Sequence, residues 1–318
     1  MKIIFFADGP WAERALDKML TRGYKIPLIV LRHHVPDESL RKKATENKIP
    51  TTNPENVNDQ KFLSEIESYN ADIGVSLSYN QIFKKDLIDA FPLGMINCHA
   101  GKLPYYRGRN VLNWALINGE KEIGVTCHYI NENVDTGDII IQKVFSVTRN
   151  DDYASVLEKA YTKCAEVLDE SLGLIENGNV VVTKQENRGT YCTGRQDGDE
   201  FINWDWRSER IFNFVRAISD PGPNARSWVR NDDNTYDLII IKKVSLVENA
   251  VSYNCINGAV IGYSKKKNPL IKTDDYYIEL LDYSIPGSDK KQLKTGDRLG
   301  LNWDLIYLNY LKGHKENE

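Results

Sequence analysis

Asn97 and His99 stand two residues apart in Gly94-Met-Ile-Asn-Cys-His99, an amide and an imidazole closing an apolar run that reads as a strand. Side chains at i and i+2 of a strand share a face, so both can point into one cleft. The loop that follows, Ala100-Gly-Lys-Leu-Pro-Tyr-Tyr-Arg-Gly108, combines glycines, a proline and two cations just before a helix. Loops beyond the carboxyl ends of strands are where open α/β sheets bind ligands. Further on, Asp135-Thr-Gly-Asp138 is a tight turn able to push a carboxylate toward the same cleft. An amide, an imidazole and a carboxylate, with no serine or cysteine nucleophile in the pattern, suit acyl transfer directly between two bound molecules. The amide N–H stabilises an oxyanion, and the imidazole moves the proton of an attacking amine. The carboxylate fixes the imidazole tautomer and stabilises its charged form. A lone histidine is more often a satisfied core residue; its clustering with Asn97 and the Gly/Arg loop favours the chemical role.

These residues need a scaffold, and the first half of the chain alternates β-branched runs with amphipathic stretches, the pattern of a parallel sheet covered by helices. Strands are expected at 2–7, 27–31, 71–76, 94–99, 123–130 and 138–147. Helices are expected at 11–21, 37–47, 55–69, 81–91, 110–118 and 152–176. Past residue 180, Gly, Asn and Asp turns separate short β-rich runs at 236–246, 258–264, 269–272 and 276–283, with one helix at 208–218; this reads as a small antiparallel sheet or barrel. The fold class is therefore α/β, a Rossmann-like domain over residues 1–187 followed by an antiparallel β domain over 188–318. The boundary is set in the polar segment 184–189, and the tail Lys312–Glu318 is expected to fray.

Composition narrows the function further. The chain has 318 residues, 41% hydrophobic and 27% charged, and a net charge of −4, so no overall positive field holds a polyanion. No apolar run approaches the roughly 20 residues that cross a bilayer, and the N-terminal run stops at Asp8, too short for a signal segment. Five cysteines without a Cys-x-x-Cys pair make neither a disulfide framework nor a zinc knuckle. A cytoplasmic protein with reduced thiols, no metal, no membrane contact and no nucleic-acid partner is expected. The first strand-turn-helix, Ala7-Asp-Gly-Pro-Trp-Ala12, has one glycine where a dinucleotide site needs three. His33 and His34 lack the pattern of a metal site and read as surface residues.

The segment NCHAGKLPYYRGRNVLNWALINGE followed by GVTCHYINENVDTGDII resembles the active-site region of formyltransferases that use 10-formyltetrahydrofolate. Their pattern is Asn-x-His, a Leu-Pro-x-x-(Arg/Lys)-Gly loop, then Gly-Val-Thr and an Asp-x-Gly turn. The resemblance implies a catalytic trio of Asn97, His99 and Asp135, with Asp138 as the competing carboxylate. It implies folate recognition by the loop Leu77-Ser78-Tyr79-Asn80, with Tyr79 either against the cofactor or in the core. The chain departs from the family's usual Ser-Leu-Leu-Pro at Ala100-Gly-Lys-Leu-Pro104, which puts Lys102 either near a folate carboxylate or diphosphate or in solvent. Similarity continues through 197–204, 211–217 and 221–225, and implies an OB-like barrel after them.

Among acceptors, the tRNA enzymes of the family carry a long basic insertion after the second strand, whereas here 30–39 runs straight into a short helix. Arg107, Arg109 and Asn110, continued by Leu-Asn-Trp114, are similar to sugar N-formyltransferases. Either arginine is a suitable fork for phosphate oxygens, and Arg107 equally suits bracing the loop. The resemblance thus points to a nucleotide-linked amino-dideoxy sugar, with dTDP-4-amino-4,6-dideoxyglucose in front, for O-antigen or other surface glycan synthesis by a homodimer. Methionyl-tRNA formylation and formyltetrahydrofolate hydrolysis are the enzymatic rivals. An OB-type module binding single-stranded nucleic acid is the rival from another class, although Trp204, Trp206, Phe212 and Phe214 read better as core than as stacking platforms.

Overall fold

In a computed structural model that describes residues 1–231, 233, 235–288 and 292–301, the N-terminal apolar run forms strand β1 (Lys2–Ala7), fully buried from Ile3 onward. Burial on both faces is what a helix-covered parallel strand requires, and explains a continuous apolar run where a half-exposed strand would alternate. Each such Ile or Phe contributes about 1.5–3 kcal/mol by leaving water. Helix α1 (Gly9–Thr21) follows through Gly9, whose φ of +68° is the left-handed turn glycine adopts freely. The chain then alternates β2 (Lys25–Val30), α2 (Glu38–Glu46), β3 (Thr51–Thr52), α3 (Gln60–Ser68), β4 (Ile73–Leu77), α4 (Lys85–Asp89) and β5 (Met95–His99). After β5 come a two-residue strand β6 (Arg107–Gly108), α5 (Val111–Ile117), the antiparallel pair β7 (Glu122–Tyr129) and β8 (Ile139–Ser146), α6 (Tyr153–Glu176) and β9 (Tyr191–Cys192). The main sheet has the order β3-β2-β1-β4-β5-β7-β8, parallel from β3 to β5 and antiparallel beyond.

The later chain carries α7 (Ser208–Ala217), β10 (Ala225–Arg230), β11 (Tyr236–Leu246), β12 (Val260–Tyr263), β13 (Pro269–Lys272) and β14 (Tyr277–Ser284). Among the described residues, these strands form an antiparallel sheet in the order β10-β11-β14-β13-β12. Val229 of the first edge strand bridges Leu299, and Ala259, just before the other edge strand, bridges Arg298, so one segment ties both edges as a small barrel requires. The two compact units meet in sequence between Gly194 and Arg195; short pieces at 116–119 and 151–154 also belong to the second. Trp204 and Phe214 are core residues, the indole donating to Ser227 Oγ at 2.9 Å. The tail Lys312–Glu318 lies outside the described residues.

The expected helices at 55–69 and 81–91 are shorter in the structure. The side chain of Asp59 accepts the Lys61 N–H at 2.9 Å and starts α3 there. Gln81 bonds Pro54 O and Val57 N–H, and Asn58 Oδ1 takes the Lys84 N–H, so those residues link loops before α4 can begin. Strand β10 was not expected; its alternating burial matches its pairing with β11.

Helix α7 starts at Arg207 without a side-chain cap of its own. Asp275 replaces it, accepting Ser208 N–H and Oγ–H, both at 2.8 Å, and the Tyr276 N–H at 2.9 Å. Burial raises this carboxyl, but the bonds from Ser208, Tyr276 and Thr273 outweigh burial and hold it below the usual range. Asp275→Ala is expected to cost about 1–2 kcal/mol in urea unfolding at pH 7, as a lost cap does. A depressed carboxyl stabilises above its unfolded pKa and loses that contribution as pH falls, so the gap narrows below about pH 4. An equal gap at pH 7 and pH 3 would contradict this assignment.

Candidate active site

Strand β5 lies between β4 and β7 in the sheet, and its antiparallel neighbour β7 sets Asn97 opposite His128 and His99 opposite Thr126. Cys98 between them faces the other way, buried, with Sγ toward the Cys164 carbonyl of α6. Thr126 fixes the loop after His99, its hydroxyl donating to Gly101 O at 2.7 Å. Gln142 from β8 donates to both Leu103 O (2.8 Å) and Thr126 Oγ1 (2.9 Å). Gly101 is needed here: a Cβ would lie 2.5 Å from both His99 Nε2 and the Tyr106 carbonyl oxygen. The departure from Ser-Leu-Leu-Pro at Gly101 thus falls where the loop comes closest to the imidazole.

Asp135 comes to the same place from the turn between β7 and β8. Its Oδ2 lies 3.7 Å from His99 Nδ1 and accepts the Gly108 N–H at 2.8 Å, and its Oδ1 lies 3.5 Å from His128 Nε2. The backbone is left-handed at Asp135, φ +53°, a conformation that costs a non-glycine residue about 1–2 kcal/mol and that Asp and Asn tolerate best. Gly137 must also be glycine, since a Cβ there would sit 1.8 Å from Tyr129 O. Burial alone would raise the Asp135 carboxyl. The charge of His99, the hydrogen bond and charge of His128 and the Gly108 N–H together hold it well below the usual carboxylate range. It is ionised throughout neutral pH. Asp138, the competing carboxylate, contributes its backbone carbonyl to Tyr129 N–H at 2.9 Å.

Backbone carbonyls set both histidine tautomers, because a carbonyl oxygen only accepts. His99 Nε2 is 2.6 Å from Tyr106 O and therefore carries a proton, with Nδ1 turned toward Asp135. His128 Nδ1 donates to Tyr129 O at 2.8 Å, and its Nε2 lies 3.3 Å from Asn97 Nδ2 and 3.5 Å from Asp135 Oδ1. That contact orients the Asn97 amide. Tyr106, a residue not singled out in the sequence, supplies the carbonyl that receives the His99 Nε2–H, while the Asp135 carboxylate faces Nδ1.

The remaining expected residues are dispersed. Ser78, in the left-handed region at φ +59°, is held by Arg32, which donates to its carbonyl and hydroxyl and pairs with Asp8 at 3.1 Å. Asp8 Oδ1 is buried without a hydrogen-bond partner among the described residues, and burial raises the Asp8 carboxyl against the pull of Arg32. Tyr79 packs its ring on Phe6 and Phe83, with its hydroxyl 3.4 Å from Leu31 O, and burial pushes its phenol up. Asn80 is exposed. Lys102 pairs with Glu122 at the far end of β7, both side chains 47% exposed. Arg107 is buried at 6%, its guanidinium bonded to Gln185 Oε1 and set over the Tyr191 ring. Arg109 and Asn110 are exposed; Asn110 reaches Asn113 Oδ1 at 3.3 Å. His33 and His34 sit in a bend, His33 Nδ1 bonding Asn53 O at 3.0 Å. Sequence reasoning missed His128 and Gln185. His128 is visible only once β7 is known to pair with β5 in this register, and Gln185 lies in a segment that reads as linker.

Among the described residues, no group of three or more His, Cys, Asp or Glu could hold a metal ion, and no helix is long and apolar enough to cross a membrane. Residues 1–172 match the family described as Formyl transferase, and residues 196–296 match Formyl transferase, C-terminal domain. A methionyl-tRNA formyltransferase of Thermodesulfovibrio yellowstonii is 32% identical over 277 residues, 85% of this chain and 86% of its own. Among solved structures, WlaRD, a sugar 3N-formyl transferase crystallised with dTDP and 5-N-formyl-THF, superposes with a TM-score of 0.66 at 24% identity. The match covers 88% of this chain and 96% of that one. An N-formyltransferase from Helicobacter canadensis in complex with folinic acid and dTDP-3-aminofucose gives a TM-score of 0.66 at 22% identity, over 88% of this chain and 98% of that one. With one family match spanning more than half of its length and the site motif folded together, this chain belongs to the formyl transferase family.

Proposed function

We propose that the chain transfers a formyl group from 10-formyltetrahydrofolate to the primary amine of a nucleotide-linked amino-dideoxy sugar. The first candidate acceptor is dTDP-4-amino-4,6-dideoxyglucose, and the product would serve surface glycan synthesis. The observation that carries this reading is the meeting of Asn97, His99 and a partly buried, ionised Asp135 at the carboxyl end of β5, with Cys98 turned away. The folate would supply an activated formyl carbon. In this reading His99 Nδ1 takes the proton that the amine must lose after attack, and Asp135 stabilises the imidazolium so formed. An N–H of the Asn97 amide meets the oxygen on which negative charge develops. His99 then returns the proton to the departing folate nitrogen, so the cycle closes without net proton uptake.

The choice of a sugar acceptor is supported by the two solved neighbours that bind dTDP or a dTDP-amino sugar. The short path from Val30 to Glu38 also supports it, since it leaves no room for a basic insertion gripping an acceptor stem. The 32% identity with a methionyl-tRNA formyltransferase favours the second reading, tRNA formylation. A panel of dTDP- and UDP-linked 3- and 4-amino sugars, with methionyl-tRNA alongside, decides between them by mass spectrometry. A formyl mass gain on a sugar nucleotide is expected, undiminished in excess chelator; formylation of methionyl-tRNA alone would overturn the sugar assignment.

Turnover of His99→Ala should fall by about 10²–10⁴, the span of a lost general acid/base, with sugar-nucleotide binding nearly unchanged. Asn97→Ala should lose about 10²–10³ through the missing oxyanion donor. Either variant retaining more than half of wild-type turnover would remove its residue from the chemistry.

Asparagine adopts the left-handed backbone at 135 as readily as aspartate, so Asp135→Asn preserves the turn and removes only the charge. Turnover is expected to fall by at least about 10²-fold, because an uncharged amide stabilises the imidazolium poorly, while the melting temperature stays close to wild type. Full turnover with lowered stability would reduce Asp135 to a turn residue. Loss in Asp138→Asn but not in Asp135→Asn would move the carboxylate three residues on.

A further inference from the structure

The polar segment after α6 does more than connect. Thr183 exchanges backbone hydrogen bonds with Ile139, both at 2.8 Å. Thr190 accepts the Arg107 N–H on its carbonyl at 2.9 Å and the Tyr106 N–H on its hydroxyl at 3.0 Å, and Cys192 O accepts the Arg109 N–H at 3.0 Å. Gly189 passes so near Pro104 that a Cβ would lie 2.3 Å from the Pro104 carbonyl oxygen. The segment is a strap that binds the 104–109 loop on one side and the start of β8 on the other.

Gln185 lies within this strap and spends its whole carboxamide on the candidate site. Its Nε2 donates to Asp135 O at 3.0 Å and to Gly137 O at 2.7 Å. Its Oε1 accepts Arg107 Nε at 3.2 Å and Nη2 at 2.7 Å. Two donors and two lone pairs are thereby satisfied. The planar fork of Arg107 determines which end of the amide faces which way, because a guanidinium only donates. The amide nitrogen must then face the two carbonyls. Since the Gly108 N–H next to Arg107 holds the Asp135 carboxylate, the bonds close into a ring: Asp135 carbonyl, Gln185, Arg107, Gly108, Asp135 carboxylate. A left-handed residue is thus held at its carbonyl and at its side chain by one loop and one strap, which leaves the carboxylate a single direction.

We propose that Gln185 is a positioning residue for group transfer: without touching the reacting atoms, it sets the aim of the Asp135 carboxylate at His99 by clamping the turn from outside. The kinetic arm of its test rests on the formyl-transfer reading above. Gln185→Glu keeps a partner for Arg107 but cannot donate to the two carbonyls, and Gln185→Met removes the amide at nearly constant volume. Each should lower turnover about 10- to 100-fold, as a misplaced group does, with KM for both substrates within about twofold. In the Asp135→Asn background the same changes should add less than about twofold, because residues acting through one contact are not additive. A second arm needs no substrate. The Gly108 amide, a donor to an ionised carboxylate, should shift in ¹H–¹⁵N spectra of both Gln185 variants in the direction seen for Asp135→Asn. Retention of more than half the turnover in both variants, a loss fully additive with Asp135→Asn, or an unmoved Gly108 resonance would overturn the proposal. If the wild-type protein formylates no acceptor, the functional reading fails, and the Gly108 shift still decides the role of Gln185.

Discussion

The structure around the candidate site is organised by one carboxylate kept charged while only 11% of its side chain is exposed. Taking a charge out of water costs several kcal/mol unless donors and opposite charge replace the lost hydration. At Asp135 the replacement is local and specific: a backbone N–H from Gly108 and two imidazoles, one on each oxygen. Most of the unusual backbone nearby follows from that need. The left-handed turn at Asp135 and the Cβ-free approaches at Gly137 and Gly101 are where chain geometry gives way so that these groups can meet.

The sheet supplies the platform. Parallel strands up to β5 bring their carboxyl ends to one edge, and β7 then returns antiparallel, placing His128 directly across from Asn97. One amide is oriented by a neighbouring strand and one imidazole by a loop carbonyl, so neither depends on the ligand for its orientation. Preorganisation of this kind lets electrostatic stabilisation act without reorganisation during reaction.

Residue type alone did not separate the cations of the site. Arg107 and Arg109 are equally good phosphate forks on paper, yet Arg107 is buried and committed to Gln185 and Tyr191, while Arg109 is exposed. Lys102 has likewise found a carboxylate in Glu122. A planar guanidinium is well suited to bracing, since it can satisfy an amide oxygen bidentately while stacking on a ring.

How much was legible in the sequence follows from the range of the interactions involved. Continuous apolar runs such as Ile3–Ala7 marked strands buried on both faces, and the i, i+2 spacing of Asn97 and His99 placed both on one face, because these properties depend on neighbours a few residues apart. The Asp135-Thr-Gly turn was legible for the same reason. Helix starts at Gln60 and Lys85 were not, since side chains from other loops claimed the preceding backbone groups. His128, the Tyr106 carbonyl and Gln185 were invisible because each matters through a partner 7 to 50 residues away. The sequence by itself determined which chemical groups were present and which local elements carried them. Only the tertiary structure decided strand register, tautomer and the aim of the carboxylate, because those depend on hydrogen bonds between segments whose separation in space is not set by their separation along the chain.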